Sequence, residues 1–120
     1  MIYESQAKQM RDSMDQVKFK LNLTSIKSEI DKIEENSQYF KIGKTGQTPE
    51  ERFENYKSDY DEIKPLYASS VPNVIDDAES ELIDAYIDHP KCKNERNGDL
   101  SENDPMKDSG EYCVYIVWKN

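Results

Sequence analysis

Gly43-Lys44-Thr45 has the ending of a phosphate-binding loop, in which backbone N–H groups and a lysine cradle a nucleotide's phosphates. The first glycine of that pattern would stand at position 38, which is Gln38, so nucleotide hydrolysis is not expected. His89 and Cys92 are spaced for two metal ligands, with Cys113 a distant third. A zinc site pairs close ligands on both sides, so a surface histidine beside Pro90 and two ordinary thiols are expected instead. A nucleophilic triad would need His89, the single histidine, and the serines near it show no nucleophile-elbow motif. What remains is a group of residue types suited to a phosphate: Lys41, Lys44 and Arg52 cluster in an otherwise acidic chain. Asp59, Asp61, Glu62, Asp76, Asp77, Glu79, Glu81 and Asp84 follow them.

These residues need a scaffold, and the hydrophobic spacing supplies one. Tyr3, Ala7, Met10, Met14, Val17 and Leu21 recur at alternating steps of four and three, one apolar stripe of an amphipathic helix. Ile26, Ile30 and Ile33 continue the spacing on a different side, so a break is expected between Asn22 and Ser25. The stretch Val17 to Leu23 also alternates with period two and would suit a half-buried strand, but the longer helical stripe favours a helix. After the polar Glu34 to Gln38, Tyr39 to Thr45 reads as a short strand entering a glycine-containing turn. Thr48-Pro49-Glu50-Glu51 carries a helix-start signature, predicting a helix from Pro49 to about Tyr60 with Arg52, Phe53 and Tyr56 on it. Ile63 to Val71 is a strand candidate in which Pro65 favours an edge or a strand start. Asp76 to Ile87 reads as a helix with an acidic first turn that ends before Pro90. Residues 91–109 read as a long polar loop, and Glu111 to Trp118, aromatic and β-branched, is the strongest strand of the chain. The expected fold is α+β: a small, three-stranded, mostly antiparallel sheet flanked by helices. A helical extension, 1–38, precedes a domain spanning 39–120.

On the segments Tyr39-Phe-Lys-Ile-Gly-Lys-Thr45 and Pro49-Glu-Glu-Arg-Phe53 the chain resembles the second half of the GIY-YIG nuclease signature, in the branch whose second motif reads Lys-Ile-Gly. In that family an arginine follows the motif's glycine on the next helix, as Arg52 follows Gly43. Glu79-Ser-Glu-Leu-Ile83, with Tyr86, Pro90 and Asn94 after it, is similar to the family's metal helix. The resemblance covers roughly residues 39 to 118.

The resemblance implies a metal-dependent endonuclease acting on DNA, with Mg²⁺ or Mn²⁺ held by Glu79, or by Glu81 or Asp77 in its stead. A carboxylate is the hard oxygen ligand Mg²⁺ prefers, and the metal polarises the phosphate and stabilises the leaving oxygen. Arg52 is implied as the guanidinium that stabilises the charged transition state, helped by Lys44. Gly43 would leave room for a phosphate, and Tyr39, Tyr56 and Asn94, or Asn97 in the other register, would help bind substrate. Lys41 stands where the family more often has a tyrosine near the attacking water. The first motif, Gly-Ile-Tyr, is absent from its place upstream; a near copy, Gly110-Glu111-Tyr112, opens the last strand instead. Either that strand simply completes the sheet, which is the simpler reading, or it takes the missing strand's place in a permuted arrangement. Tyr112 or Tyr115 would then serve as the phenolic base beside Arg52 and Glu79.

With 120 residues the chain fits one domain. It has no apolar run of membrane-spanning length and no signal-peptide pattern at its start, so a cytoplasmic protein with no membrane partner is expected. Its two cysteines are expected as thiols. The net charge of −9 argues against tight, non-specific DNA binding, which rests on neutralising phosphates with Lys and Arg. That balance keeps two alternatives open: a catalytically degenerate module that binds a protein or nucleic acid, and an acidic mimic of nucleic acid. Small size and an unassigned helical preface suit a phage or mobile-element product. The N-terminal stripe is expected to pack onto the domain or to join a second copy in a homodimer.

Overall fold

The computed structural model describes residues 2–94 and 111–120, and the side chains of residues 2–9, 11 and 12 are not among those described. The expected long loop therefore lies, from position 95 on, outside the described residues. The elements run α1 (Ile2–Glu35), β1 (Tyr39–Thr45), α2 (Pro49–Phe53), β2 (Glu62–Ser69), α3 (Pro72–Tyr86) and β3 (Tyr112–Lys119). The three strands form one sheet in the order β1-β3-β2, with β3 central and antiparallel to both neighbours. This is the α+β architecture expected. Among the described residues no helix is long and apolar enough to cross a membrane. Cys92 and Cys113 are both free thiols.

The core lies between one face of the sheet and a pair of helices. Phe40 and Ile42 of β1 and Tyr112, Val114 and Ile116 of β3 alternate towards that face, as period two requires. Against them pack Ile75, Ala78, Leu82 and Ile83 of α3 and Phe19, Ile26 and Ile30 of α1. Each buried Val, Leu, Ile or Phe among them contributes about 1.5–3 kcal/mol. Phe19, Ile26 and Ile30 thus join α1 to the core that β1, β3 and α3 share.

Helix α1 does not break near Asn22; it runs unbroken from Ile2 to Glu35. The two apolar stripes serve two sides of one helix. Phe19, Leu23, Ile26, Ile30 and Ile33 face the fold, while Met10, Met14, Val17 and Leu21 are exposed on the other side. Two residues of α-helix turn through about 200°, which accounts for the alternation from Val17 to Leu23 without a strand. Asp15 and Gln16 fasten the helix: Ser69 Oγ donates to Asp15 Oδ2 at 2.7 Å, and Gln16 Nε2 donates to Asp77 Oδ2 at 3.2 Å.

Two further boundaries differ from expectation. Helix α2 stops at Phe53 rather than near Tyr60, and the chain tightens into turns through Asn55 N–H to Arg52 C=O and Tyr56 N–H to Phe53 C=O. The Thr48 cap is as expected, its hydroxyl accepting from Glu51 N–H at 3.2 Å. Helix α3 begins at Pro72, four residues before the expected Asp76, with Pro at its first position. Asp76 and Glu79 therefore sit beyond its first turn, where the macrodipole does not account for them. Pro65 lies in an edge strand, next to a register shift between Pro65 and Tyr67.

Candidate functional site

The candidate site is built where β1 ends, α2 and α3 begin, and β3 starts. Gly43 is paired directly with Tyr115 across the β1–β3 ladder. A Cβ at position 43 would stand 2.5 Å from Tyr115 Cζ and closer still to the phenol oxygen. The glycine therefore gives the Tyr115 ring its place, folded over the strand. Arg52 reaches the same oxygen from α2, its Nε–H donating to Tyr115 Oη at 3.2 Å. The Tyr56 hydroxyl shares a hydrogen bond with that oxygen at 2.8 Å, and the Arg52 guanidinium lies 5.7 Å from the Tyr56 ring centre. The aromatic chain continues through Tyr60 to Tyr39 by edge-to-face contacts at 5.6 and 5.3 Å. Tyr39 donates to the Asp59 carbonyl at 2.6 Å, and the Lys93 ammonium lies 5.4 Å from its ring centre.

Tyr115 is only 1% exposed. Burial, with the Tyr56 hydroxyl beside it, pushes its phenol well above the ordinary tyrosine range, against the opposing pull of Arg52. At neutral pH Tyr115 is therefore a neutral phenol that accepts from Arg52 and fixes the plane of the guanidinium.

The next residue of β1 opens the second part of the site. Lys44 points to the other face, towards α3, where its ammonium lies 2.6 Å from Asp76 Oδ1 and 3.8 Å from Glu79 Oε1. Asp76 and Glu79, three apart, occupy one side of the helix. Glu79 is buried and Asp76 is half-exposed. Asp77 and Glu81, the alternative carboxylates, face α1 instead, meeting Gln16 and Lys20. Gly43 and Lys44 are consecutive, so the arginine–tyrosine cluster and the carboxylate pair lie at the same end of the sheet but on opposite faces of it.

Not every candidate residue joins these clusters. Tyr112, three positions from Tyr115 in an extended strand, emerges on the opposite face among the core side chains. Lys41 is half-buried, paired with Val117 on the Tyr39 and Gly43 side of β1. Asn94 is buried, and its amide is committed to the backbone of Ile42: Nδ2 donates to the carbonyl at 2.8 Å, and Oδ1 accepts from the N–H at 2.9 Å. With Phe40 N–H to Lys91 C=O at 2.9 Å and Lys93 N–H to Phe40 C=O at 2.8 Å, residues 91–94 cover the edge of β1. His89 is tied to Glu34 at 3.2 Å and accepts from Lys91 N–H. Among the described residues no group of three His, Cys, Asp or Glu side chains converges as a metal site.

Tyr60 and Asp76 are the site neighbours that sequence reasoning left unassigned. Both had a spacing signal: Asp76 is three residues before Glu79, and Tyr60 is four after Tyr56. No family model, curated protein or solved structure matches the chain.

Proposed function

We propose that the protein is a metal-dependent DNA endonuclease of GIY-YIG type, with β3 standing in for the strand that usually carries the first motif. The observation that carries this reading is the meeting of Arg52 and Tyr115 over Gly43, from three separate elements. A guanidinium fixed at Nε presents its terminal nitrogens in a set plane, the geometry that a phosphate's oxygens favour. Tyr115, too basic when ionised to surrender its proton at neutral pH, is the residue that positions Arg52. Tyr56, half-buried and hydrogen-bonded to it, is the outer hydroxyl and the one placed to hold or pass a proton at the attacking water.

Mg²⁺ commonly takes one or two carboxylates and completes its shell with water and substrate phosphate oxygens. Glu79 and Asp76 fit that donor set, since both lie against one cation already, the Lys44 ammonium. When bound, the metal would polarise the phosphate and stabilise the leaving oxygen. The proposed partner is DNA and the proposed compartment is the cytoplasm.

One observation favours a second reading, a degenerate module that binds without cutting. The Lys44 ammonium already offsets one charge of the carboxylate pair and stands where a cation would, and the chain carries nine excess negative charges that oppose a DNA backbone. Plasmid nicking with Mg²⁺ or Mn²⁺ at low salt separates the two. Cleavage by the wild type, lost in both Arg52→Ala and Glu79→Gln, supports the nuclease. Absence of cleavage on duplex, single-stranded and branched DNA supports the binding module.

A further inference from the structure

Met10, Met14, Val17 and Leu21 are 66%, 68%, 57% and 78% exposed, although large apolar side chains rarely gather on a surface without a partner. They lie on the side of α1 opposite the stripe that packs on the fold. Their steps of four, three and four are the a and d positions of a heptad, and Tyr3 and Ala7 extend the same register towards the start of the helix. The seam ends where the next positions become Thr24 and Ser28. A stripe only two positions wide suits a single opposing helix, whereas a membrane surface calls for a broader apolar face.

From this we infer that α1 pairs with α1 of a second copy of the chain as an antiparallel two-helix coiled coil. Charge selects that occupant. Residues 2–21 hold four basic and three acidic side chains, a net +1, so the remainder of the chain carries −10 of the total −9. The seam is thus the nearly neutral part of an acidic chain, where two copies meet with far less repulsion than their −10 bodies would feel. Antiparallel pairing sets Met14 against Met10 of the partner, and places Val17 and Leu21 opposite sequence positions 7 and 3. It also brings flanking Lys18, which is exposed, opposite the sequence position of Glu4. The same arrangement is self-complementary, as a two-fold dimer requires, and holds the two acidic bodies at opposite ends of the shared helices. Helix α1 is long enough for this: 34 residues span about 51 Å, close to the 50 Å long axis of the molecule. The inference rests on α1 alone and does not depend on nuclease activity.

Light scattering coupled to size exclusion tests it on the full chain, with circular dichroism and Trp118 fluorescence to check the fold. The wild type is expected at twice the chain mass, and Met14→Glu, at an exposed position, should fold normally and self-associate more than ~10-fold more weakly. Mixing Met14→Glu with Met10→Lys should restore the dimer, because those positions face each other in antiparallel pairing. Mixing Met14→Glu with Met14→Lys should not. A monomeric wild type, or a Met14→Glu variant that dimerises normally, overturns the inference; recovery only in the second mixture overturns the antiparallel register.

Discussion

Replacing Gly43 with alanine adds one methyl group at the point where Tyr115 crosses β1. The added Cβ would meet Tyr115 Cζ at 2.5 Å, whereas ordinary carbon contacts lie at about 3.5–4.0 Å. Relief requires a shift of roughly 1 Å, and the ring has little room, being 1% exposed. Such a shift also strains the hydrogen bonds of its hydroxyl to Arg52 and Tyr56 at 3.2 and 2.8 Å. Overpacking costs about 1–3 kcal/mol, and each weakened hydrogen bond about 0.5–1.5 kcal/mol. Alanine recovers roughly 0.5–1 kcal/mol of the glycine's conformational entropy. The expected net loss is about 2–3 kcal/mol, measured as a lower urea midpoint at unchanged slope. Tyr115→Leu removes the hydroxyl oxygen and the two ring carbons that the new Cβ would strike, so Gly43→Ala on that background should cost under about 0.5 kcal/mol. If Gly43→Ala is as stable as the wild type, or equally costly with and without the tyrosine, the Gly43–Tyr115 packing does not hold the site together.

Asn94→Ala should leave the Ile42 N–H and C=O without their side-chain partner at the covered edge of β1. The expected cost is about 2–4 kcal/mol, with faster hydrogen exchange at the Ile42 amide; protection equal to the wild type would show that Asn94 does not secure that edge. Cys113 bears on pH dependence, because burial, with Glu50 nearby, pushes its thiol up to about 11 from 9.0. The neutral thiol is favoured in the fold, so this stabilisation is complete below pH 9 and is lost as pH rises towards 11. Cys113→Ala should flatten the fall in stability across that window, and an unchanged slope would remove the thiol from the account.

The sequence by itself determined which segments become strands and helices wherever one environment dominated. β3 was legible because every residue from Tyr112 to Trp118 suits a pleated, buried surface, and α2's start was legible because Thr48 and Pro49 are local signals. It also supplied Gly43, Lys44, Arg52 and Glu79 as a set of types and spacings. It left Tyr112 and Tyr115 as equal candidates, since alternation fixes opposite faces without saying which face meets Arg52. Only the tertiary structure decided that: with β3 between β1 and β2, its core face takes Tyr112 and its other face aims Tyr115 at Gly43. α1 was read as broken because two opposed stripes look like two helices until the fold takes one of them and leaves the other exposed. The end of α2 was lost for a similar reason. Tyr56 and Tyr60 follow their ring partners Tyr115 and Tyr39, contacts distant in sequence that outweigh the local preference to continue a helix.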